Sequence, residues 1–278
     1  MMIYLTIFNS ELQKMKNFLL ITIAFFFLLI SCKSGTEKKI EDGIAREFYA
    51  DGTVKSETQV KDTLAHGLMK NYDRDGNLMS VYTYNMSKLE GPAVSYYPNS
   101  KIKLKMFYKN GKRDGTAQWF YDTGELYRII PYKNGKINGT KISYYKNGKI
   151  MAEAPFLNDF PGIGLREYNM KGILLKDDIK IIVKEDRRFF AENKYMLLIS
   201  LSNPNLVADY YLGELTDQKY LSPILLQLPV KDGVANCLIT PDKENLKMET
   251  LILTACYKTS KSNYRVINRI YSLTIDNK

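Results

Sequence analysis

The residue types that most often carry catalysis or bind metals are scarce in this sequence. Among 278 residues there is one histidine, His66, and one tryptophan, against 21 tyrosines and 12 phenylalanines. A nucleophile–histidine–carboxylate set would have to use His66, whose equivalents in the repeat described below are unrelated turn residues. The glycines close hairpins rather than open a helix, so no phosphate-binding loop is predicted. We therefore expect a protein that is not an enzyme and that uses no cofactor or metal.

A long apolar segment is missing as well. The most apolar run, residues 18–30, is shorter than the roughly 20 residues that a membrane-spanning helix needs. Lys14 and Lys16 precede it, and a basic flank followed by a short apolar core is typical of a secretory signal.

The end of this run, "LISC" at 29–32, resembles a bacterial lipobox. The resemblance implies that residues 1–31 are a lipoprotein signal peptide and that Cys32 is lipidated and becomes the first residue. Met15 begins a complete signal by itself, so translation from Met15 is an alternative to Met1. Residues 32–42 are mostly polar and are predicted to form a flexible tether. We expect an exported protein of the cell envelope, held by lipid to a membrane, the bacterial outer membrane being the expected one.

Two further cysteines, Cys237 and Cys256, lie in strand-like runs on either side of the polar segment "PDKEN". If the two runs pair as a hairpin, the thiols would face each other, and an oxidising compartment would allow a disulfide. Two buried free thiols are the alternative, and the residues do not decide between them.

An internal repeat occupies the middle of the chain. Glycines recur every 24 residues at 43, 67, 91, 115 and 139, and a second series follows at 52, 76, 124, 148 and 172. We number the first series position 1. Position 6 is then always aromatic, position 12 is always aliphatic, and position 18 is nearly always aromatic. Six copies in this register predict six stacked hairpins in one elongated antiparallel sheet.

The turn of each hairpin is predicted from its glycine at position 10. A three-residue loop over positions 8–10 would pair position 6 with 12 and position 4 with 14. Positions 6, 12, 16 and 18 would then form one apolar face. Position 7 would point the other way, partly exposed, and we take its four tyrosines as candidate binding residues: Tyr49, Tyr97, Tyr121 and Tyr145.

The recurring pattern G-x4-Y-Y-x-N-G-K-aliphatic resembles the bacterial MORN-repeat variant family over residues 43–176. Chains of this type are often described as antitoxin-like or as lipoproteins. The resemblance implies a hairpin-built antiparallel sheet that acts through contacts rather than through chemistry. Copies one and six depart from the pattern, as end copies often do.

The period stops at about residue 177. Six strand candidates follow, at 178–185, 195–202, 222–230, 234–240, 251–258 and 264–275, separated by turn residues. Residues 177–278 are therefore predicted to form a small β-sandwich that acts as a second interaction module. The expected fold is all-β throughout.

Positive charge is concentrated in the repeats. Residues 91–161 hold 12 Lys and Arg against five Asp and Glu, and the return turns contribute Lys109, Lys112, Lys133 and Lys136. These lysines are candidate binding residues for an envelope protein or an acidic envelope surface. Lysines that only keep exposed strands soluble are the alternative. Export makes nucleic acid an unexpected partner. Neutralisation of a toxin by direct binding is the second functional hypothesis, and hydrolysis of an envelope polysaccharide by paired carboxylates is the third.

Overall fold

The computed structural model of the protein describes residues 38–41, 43–186, 195–217, 219–239 and 247–275. The predicted signal peptide 1–31 and Cys32 lie outside these residues. The described ranges form strands and turns without a helix, so they contain no helix suited to crossing a membrane. The predicted all-β fold is confirmed.

The repeats and the segment before them build one antiparallel sheet of 15 strands. Its strands are β1 (Lys38–Glu41), β2 (Ile44–Phe48), β3 (Val54–Lys61), β4 (Leu64–Tyr72), β5 (Leu78–Asn85), β6 (Lys88–Tyr96), β7 (Ile102–Lys109), β8 (Lys112–Arg113), β9 (Gly115–Phe120), β10 (Leu126–Lys133), β11 (Lys136–Ile137), β12 (Gly139–Tyr144), β13 (Ile150–Leu157), β14 (Phe160–Pro161) and β15 (Arg166–Glu167). Neighbours in sequence are neighbours in the sheet, apart from the short β8, β11 and β15. Residues 38–41, expected to belong to the tether, instead pair with β2, because a free sheet edge can bind any extended backbone.

The turn at position 10 has the predicted three-residue loop. In the first copy Tyr49 N–H donates to the Thr53 carbonyl at 2.8 Å, and Gly52 takes a positive φ of 84°. Position 6 pairs with position 12 in every copy: Phe48 with Val54, Tyr72 with Leu78, Tyr96 with Ile102, Phe120 with Leu126, Tyr144 with Ile150, and Tyr168 with Leu174 as an isolated bridge. The predicted pairing of 6 with 12 is confirmed.

The predicted pairing of position 4 with 14 is wrong. A β-bulge at position 13 makes position 5 the partner of 14, as in the pairing of Glu47 with Ser56. Successive residues of a strand point to opposite faces, so positions 6 and 12 lie on the face opposite to 14, 16 and 18. The single apolar face expected from positions 6, 12, 16 and 18 is therefore divided between the two sides of the sheet.

Burial distinguishes the two sides. Every buried side chain of the repeats belongs to positions 3, 5, 14, 16 or 18, and we call this side the buried face. Its members are mostly small: Ala45, Ser56, Ser80, Ala93, Met106, Ala117, Ile130, Tyr132, Ser143, Ala152, Ala154, Phe156, Leu165 and Glu167. Glycine at position 1 lets adjacent strands approach one another. At Gly139, with φ +122°, a Cβ would lie 2.8 Å from Cγ of Pro131.

The C-terminal region contains two four-stranded antiparallel sheets. Its strands are β16 (Ile181–Asp186), β17 (Tyr195–Leu201), β18 (Ala208–Leu212), β19 (Leu226–Gln227), β20 (Val230–Lys231), β21 (Val234–Ile239), β22 (Lys247–Lys258) and β23 (Tyr264–Ile275). The sheet orders are β16-β17-β21-β20 and β19-β18-β22-β23. Side chains of both sheets, including Leu197, Ile199, Tyr210 and Leu253, share one core, which gives the predicted small β-sandwich.

Three details of this region differ from the sequence prediction. Strand β18 was not foreseen, and the candidate strand at 222–230 holds only β19 and the first residue of β20. The runs that carry Cys237 and Cys256 do not pair as a hairpin, because β21 pairs with β17 and β20 whereas β22 pairs with β18 and β23. Both cysteines are buried and free, so the disulfide is not formed and the alternative of two buried thiols holds.

The sandwich contacts the last repeat copies through a buried polar junction. Glu167, which is 4% exposed, accepts hydrogen bonds from Thr259 Oγ1 at 2.8 Å and from Asn263 Nδ2 at 2.7 Å. Arg265 lies 2.7 Å from Asp177 and 3.9 Å from Glu167 in two ion pairs. An apolar cluster adds Phe160 and Ile163 of the repeat end to residues of β22, β23 and the 215–225 segment. The sandwich therefore covers the C-terminal end of the repeat sheet.

Candidate interaction surface

The tyrosines at position 7 form a hydrogen-bonded ladder along the sheet. In four copies the hydroxyl donates to the backbone carbonyl at position 6 of the next copy, and each bond is 2.7 Å long. The pairs are Tyr49 with Tyr72, Tyr97 with Phe120, Tyr121 with Tyr144, and Tyr145 with Tyr168. Because the hydroxyls are engaged, only the half-exposed rings remain available to a ligand.

A cation lies over each of these rings. Arg74 is 5.4 Å from the centroid of Tyr49, and Lys103 is 5.7 Å from that of Tyr97. Lys146 lies 5.4 Å from Tyr121, and Lys261, from the sandwich, lies 5.2 Å from Tyr145 and donates to its hydroxyl. The position-7 row is therefore a set of cation–π pairs. Arg74 and Lys146 each join two neighbouring copies, Lys103 lies in the same copy as Tyr97, and Lys261 joins the fifth copy to the sandwich.

Three of the four predicted lysines meet in one cleft. Lys109, Lys112 and Lys133 line a space of about 690 Å³ between the return turns of copies three and four. All three are exposed. Lys136 is exposed as well but does not line the cleft. We call this space the lysine cleft.

The acidic groups beside the lysine cleft are already engaged by backbone. Asp114 accepts from Asn134 N–H at 3.0 Å, and Glu90 accepts from Asn110 N–H at 2.7 Å. Asn110 and Gly111 both have positive φ, as a two-residue hairpin loop of the primed type requires. Within the described parts of the chain the three cleft lysines have no ion-pair partner, so their charge faces solvent.

Sequence reasoning missed a second cationic group, on the buried face. Arg128 donates to Ser143 Oγ at 3.2 Å and to Tyr127 Oη at 2.6 Å. Lys141 lies 5.2 Å from the ring centroid of Phe156. Burial, and then the positive charge of Arg128, lower the pKa of Lys141. Lys141 occupies position 3, where the other copies carry Ala, Met or Leu. A lysine at an otherwise apolar position was the signal in the sequence that could have identified this group.

The four described clefts, two on the repeat sheet and two at the sandwich, do not bring two carboxylates together. Each of four clefts lined by described residues has at most one carboxylate in its walls. His66, predicted to lie in a turn, is exposed on strand β4 instead. The arrangement offers hydrogen-bonding edges, tyrosine rings and cations, all of which suit binding.

The fold and this surface define an all-β repeat protein whose hairpins stack into an open sheet. The family described as MORN repeat variant matches five consecutive segments, residues 41–62, 65–86, 89–110, 113–134 and 137–158. Residues 41–158 therefore carry five MORN-variant repeats, and these segments make up less than half of the chain. The shortened sixth hairpin, with β15 and the bridge between Tyr168 and Leu174, lies beyond the match. No curated protein matches the sequence.

Proposed function

We propose that this protein is a non-catalytic binding scaffold of the cell envelope, anchored by lipid at Cys32, whose repeat sheet binds an acidic partner through the lysine cleft. The match to MORN-variant repeats supports a scaffold that acts by binding. The observation that carries the proposal is the convergence of Lys109, Lys112 and Lys133 on one cleft without ion-pair partners among the described residues. Unpaired cations in a concave site attract anionic groups and raise their local concentration.

The chemistry of the cleft indicates carboxylate or phosphate groups as the part of the partner that is recognised. Lysine binds such groups as a point charge, and the exposed amides of Asn110 and Asn134 supply neutral hydrogen-bonding groups beside it. Exposed charges are screened by salt, so binding should weaken as the ionic strength rises.

Charge reversal tests the site. The pair Lys109→Glu and Lys133→Glu should weaken binding of a polyglutamate peptide and of phosphatidylglycerol vesicles by at least about tenfold at low salt. The control pair is Lys184→Glu and Lys231→Glu, which changes the net charge equally on the sandwich. If both pairs weaken binding equally, net charge rather than the cleft is responsible and the proposal is wrong. The two probes separate a protein-like acidic surface from a lipid headgroup.

The anchor is tested independently of the cleft. Cells fed a labelled fatty acid should label the protein, and Cys32→Ala should abolish the label. Labelling that survives this substitution would contradict lipidation at Cys32.

Toxin neutralisation, implied by the antitoxin-like description of such chains, would use the same surface and differs in the partner. Crosslinking in intact cells from a photoreactive residue placed at Lys136, beside the lysine cleft, would identify that partner. A toxin crosslinked there, and released by the cleft variants, would replace the envelope-scaffold proposal.

A further inference from the structure

A second binding site is indicated on the sandwich, at the outer edge of β23. This strand is 12 residues long, about twice the usual length, and it pairs with β22 alone among the described strands. Proteins usually protect long edges with proline, bulges or covering loops, because unpaired backbone groups recruit other strands. The register of β22 with β23 is continuous, and β23 contains no proline.

The backbone groups that face outward can be assigned from the hairpin turn. Thr259 N–H donates to the Asn263 carbonyl at 2.9 Å, and hydrogen-bonded pairs then recur at every second residue. Tyr257 with Arg265 and Ala255 with Ile267 are such pairs. The N–H and C=O groups of the intervening residues, Val266, Asn268 and Ile270, therefore point away from β22. Val266 is only 2% exposed because it lies within the apolar cluster at the repeat end, so the accessible outward groups are those of Asn268 and Ile270. Within the described ranges they have no backbone partner.

A groove of about 460 Å³ runs along the first part of this edge. One wall is β23 itself, with Val266, Ile267 and Asn268, and the opposite wall is formed by residues 179–181 and Ile163. Arg269 Nη1 donates to the Ile181 carbonyl at 2.8 Å and closes one end. The groove thus combines an unpaired strand edge with isoleucine and valine side chains.

The charge of the groove restricts its occupant. The two charged side chains in its walls, Lys180 and Arg269, are both cationic. Lys180 is exposed and has no ion-pair partner among the described residues. A segment that carries a carboxylate would complement this charge.

We propose that this groove binds one extended segment of a partner polypeptide, which adds to β23 as a further antiparallel or parallel strand. An added extended backbone would pair with alternating N–H and C=O groups along the edge and displace the water bound there. An aliphatic side chain of the segment fills the apolar part of the groove, and an acidic side chain faces Lys180. A single segment is favoured over a second copy of this chain, because Ile163 and residues 179–181 form a wall opposite β23 and bound the groove on that side. This site is separate from the lysine cleft and does not depend on it.

The test uses the full chain and a capped six-residue peptide that alternates valine with glutamate. Bound peptide should slow hydrogen exchange of the exposed Asn268 amide at least about tenfold. Asn268→Pro removes one outward N–H without breaking the bonds to β22, and it should weaken peptide binding about fivefold to tenfold. Ser272→Pro, further along the same edge and beyond the groove, is the matched control and should leave binding unchanged.

Charge provides a second variant in case Asn268→Pro does not fold. Lys180→Glu should reverse the preference, so that a valine–lysine peptide binds better than the valine–glutamate one. Equal binding of both peptides to the unmodified chain, unchanged binding by Asn268→Pro, or no protection at Asn268 would each overturn the proposal. Protection that rises with protein concentration in the absence of peptide would also overturn it, since the occupant would then be a second copy.

Discussion

Tyrosine at position 7 is the side chain that joins one repeat copy to the next. Its ring contacts a cation on one side, and its hydroxyl reaches a backbone carbonyl 23 residues further along the chain. That carbonyl lies where the hairpin turns and the ladder between strands is interrupted by the bulge at position 13. Phenylalanine would keep the apolar contact but would leave the carbonyl without this donor.

Replacement of Tyr121 by phenylalanine should therefore destabilise the fold by about 1 kcal/mol. Tyr144→Phe is the control, because the hydroxyl of this half-buried tyrosine makes no hydrogen bond to the described residues. The free energy of unfolding, measured by urea denaturation, should fall for Tyr121→Phe and change by less than about 0.5 kcal/mol for Tyr144→Phe. Equal losses would mean that the hydroxyl of Tyr121 is not what joins the copies.

Cys256 makes stability depend on alkaline pH. Burial, and then the negative charge of Asp209, raise the pKa of its thiol from 9.0 to about 12. The unfolded chain loses this proton above pH 9, whereas the folded chain keeps it. The free energy of unfolding should therefore fall between pH 9 and 12, by up to about 1.4 kcal/mol per pH unit from this group.

Unfolding of the unmodified chain and of Cys256→Ala, measured across this pH range, isolates the contribution. The difference between the two chains should be constant below pH 8 and should shrink from pH 9 upward. If the difference in unfolding free energy between the two chains stays constant up to pH 12, the thiol of Cys256 does not contribute to the pH dependence of stability.

The loop of each hairpin could be predicted from its glycine at position 10, whereas the bulge at position 13 could not be predicted from any residue. Glycine at position 10 defines the three-residue loop, and the pairing of 6 with 12 follows from it. The bulge at position 13 has no residue signature, since this position holds Lys55, Met79, Lys103, Tyr127 and Met151 in successive copies. The sequence therefore predicted six hairpins but assigned positions 6 and 12 to the wrong face.

The return turns of copies one, two and five place a residue other than glycine at a positive φ, Thr63, Ser87 and Asp159, whereas copies three and four have glycine there. Thr63 takes φ +67° at the position where copy three has Gly111, at φ +76°. A β-branched residue is disfavoured in this conformation, whereas glycine adopts it freely. Nothing lies within 4 Å of a Cβ built on Gly111, so the backbone alone decides the effect.

Thr63→Gly should stabilise the protein by about 1 kcal/mol, and Gly111→Thr should destabilise it by a similar amount. Thermal unfolding of the two variants is the measurement. A loss of stability in Thr63→Gly would indicate that the bond from Thr63 Oγ1 to the Asp62 carbonyl outweighs the strain.

The junction connects the two architectures of the molecule and was invisible to sequence reasoning. Glu167 contacts residues 92 and 96 positions away, and the position has no common residue type among the six copies. The cleft lysines were found because they recur with the repeat. Arg128 and Lys141 were missed because neither residue recurs at the equivalent position of another copy. The groove beside β23 was missed because the sequence does not show which strands lie at the edge of a sheet.

Glu167→Ala should cost about 3–5 kcal/mol, because it leaves Arg265 and the amide of Asn263 buried with fewer partners. Glu153→Ala is the matched control in the same terminal hairpin. Its carboxylate pairs with Arg166, which is mostly exposed, and accepts from the Tyr168 hydroxyl, so the loss should be about 1 kcal/mol. Urea unfolding measures both, and comparable losses would mean that the junction does not hold the sandwich to the repeats.

The tyrosine ladder also bears on how a gene for such a sheet can change in length. If residues 115–138 were deleted, the Tyr97 hydroxyl would meet the carbonyl of Tyr144 where it now meets that of Phe120, because both occupy position 6. Recombination between the similar stretches of DNA that encode neighbouring copies therefore yields chains in which the bonds of the tyrosine ladder are re-formed. The Glu167 junction occurs once, so such changes are tolerated inside the array and not at the end that meets the sandwich.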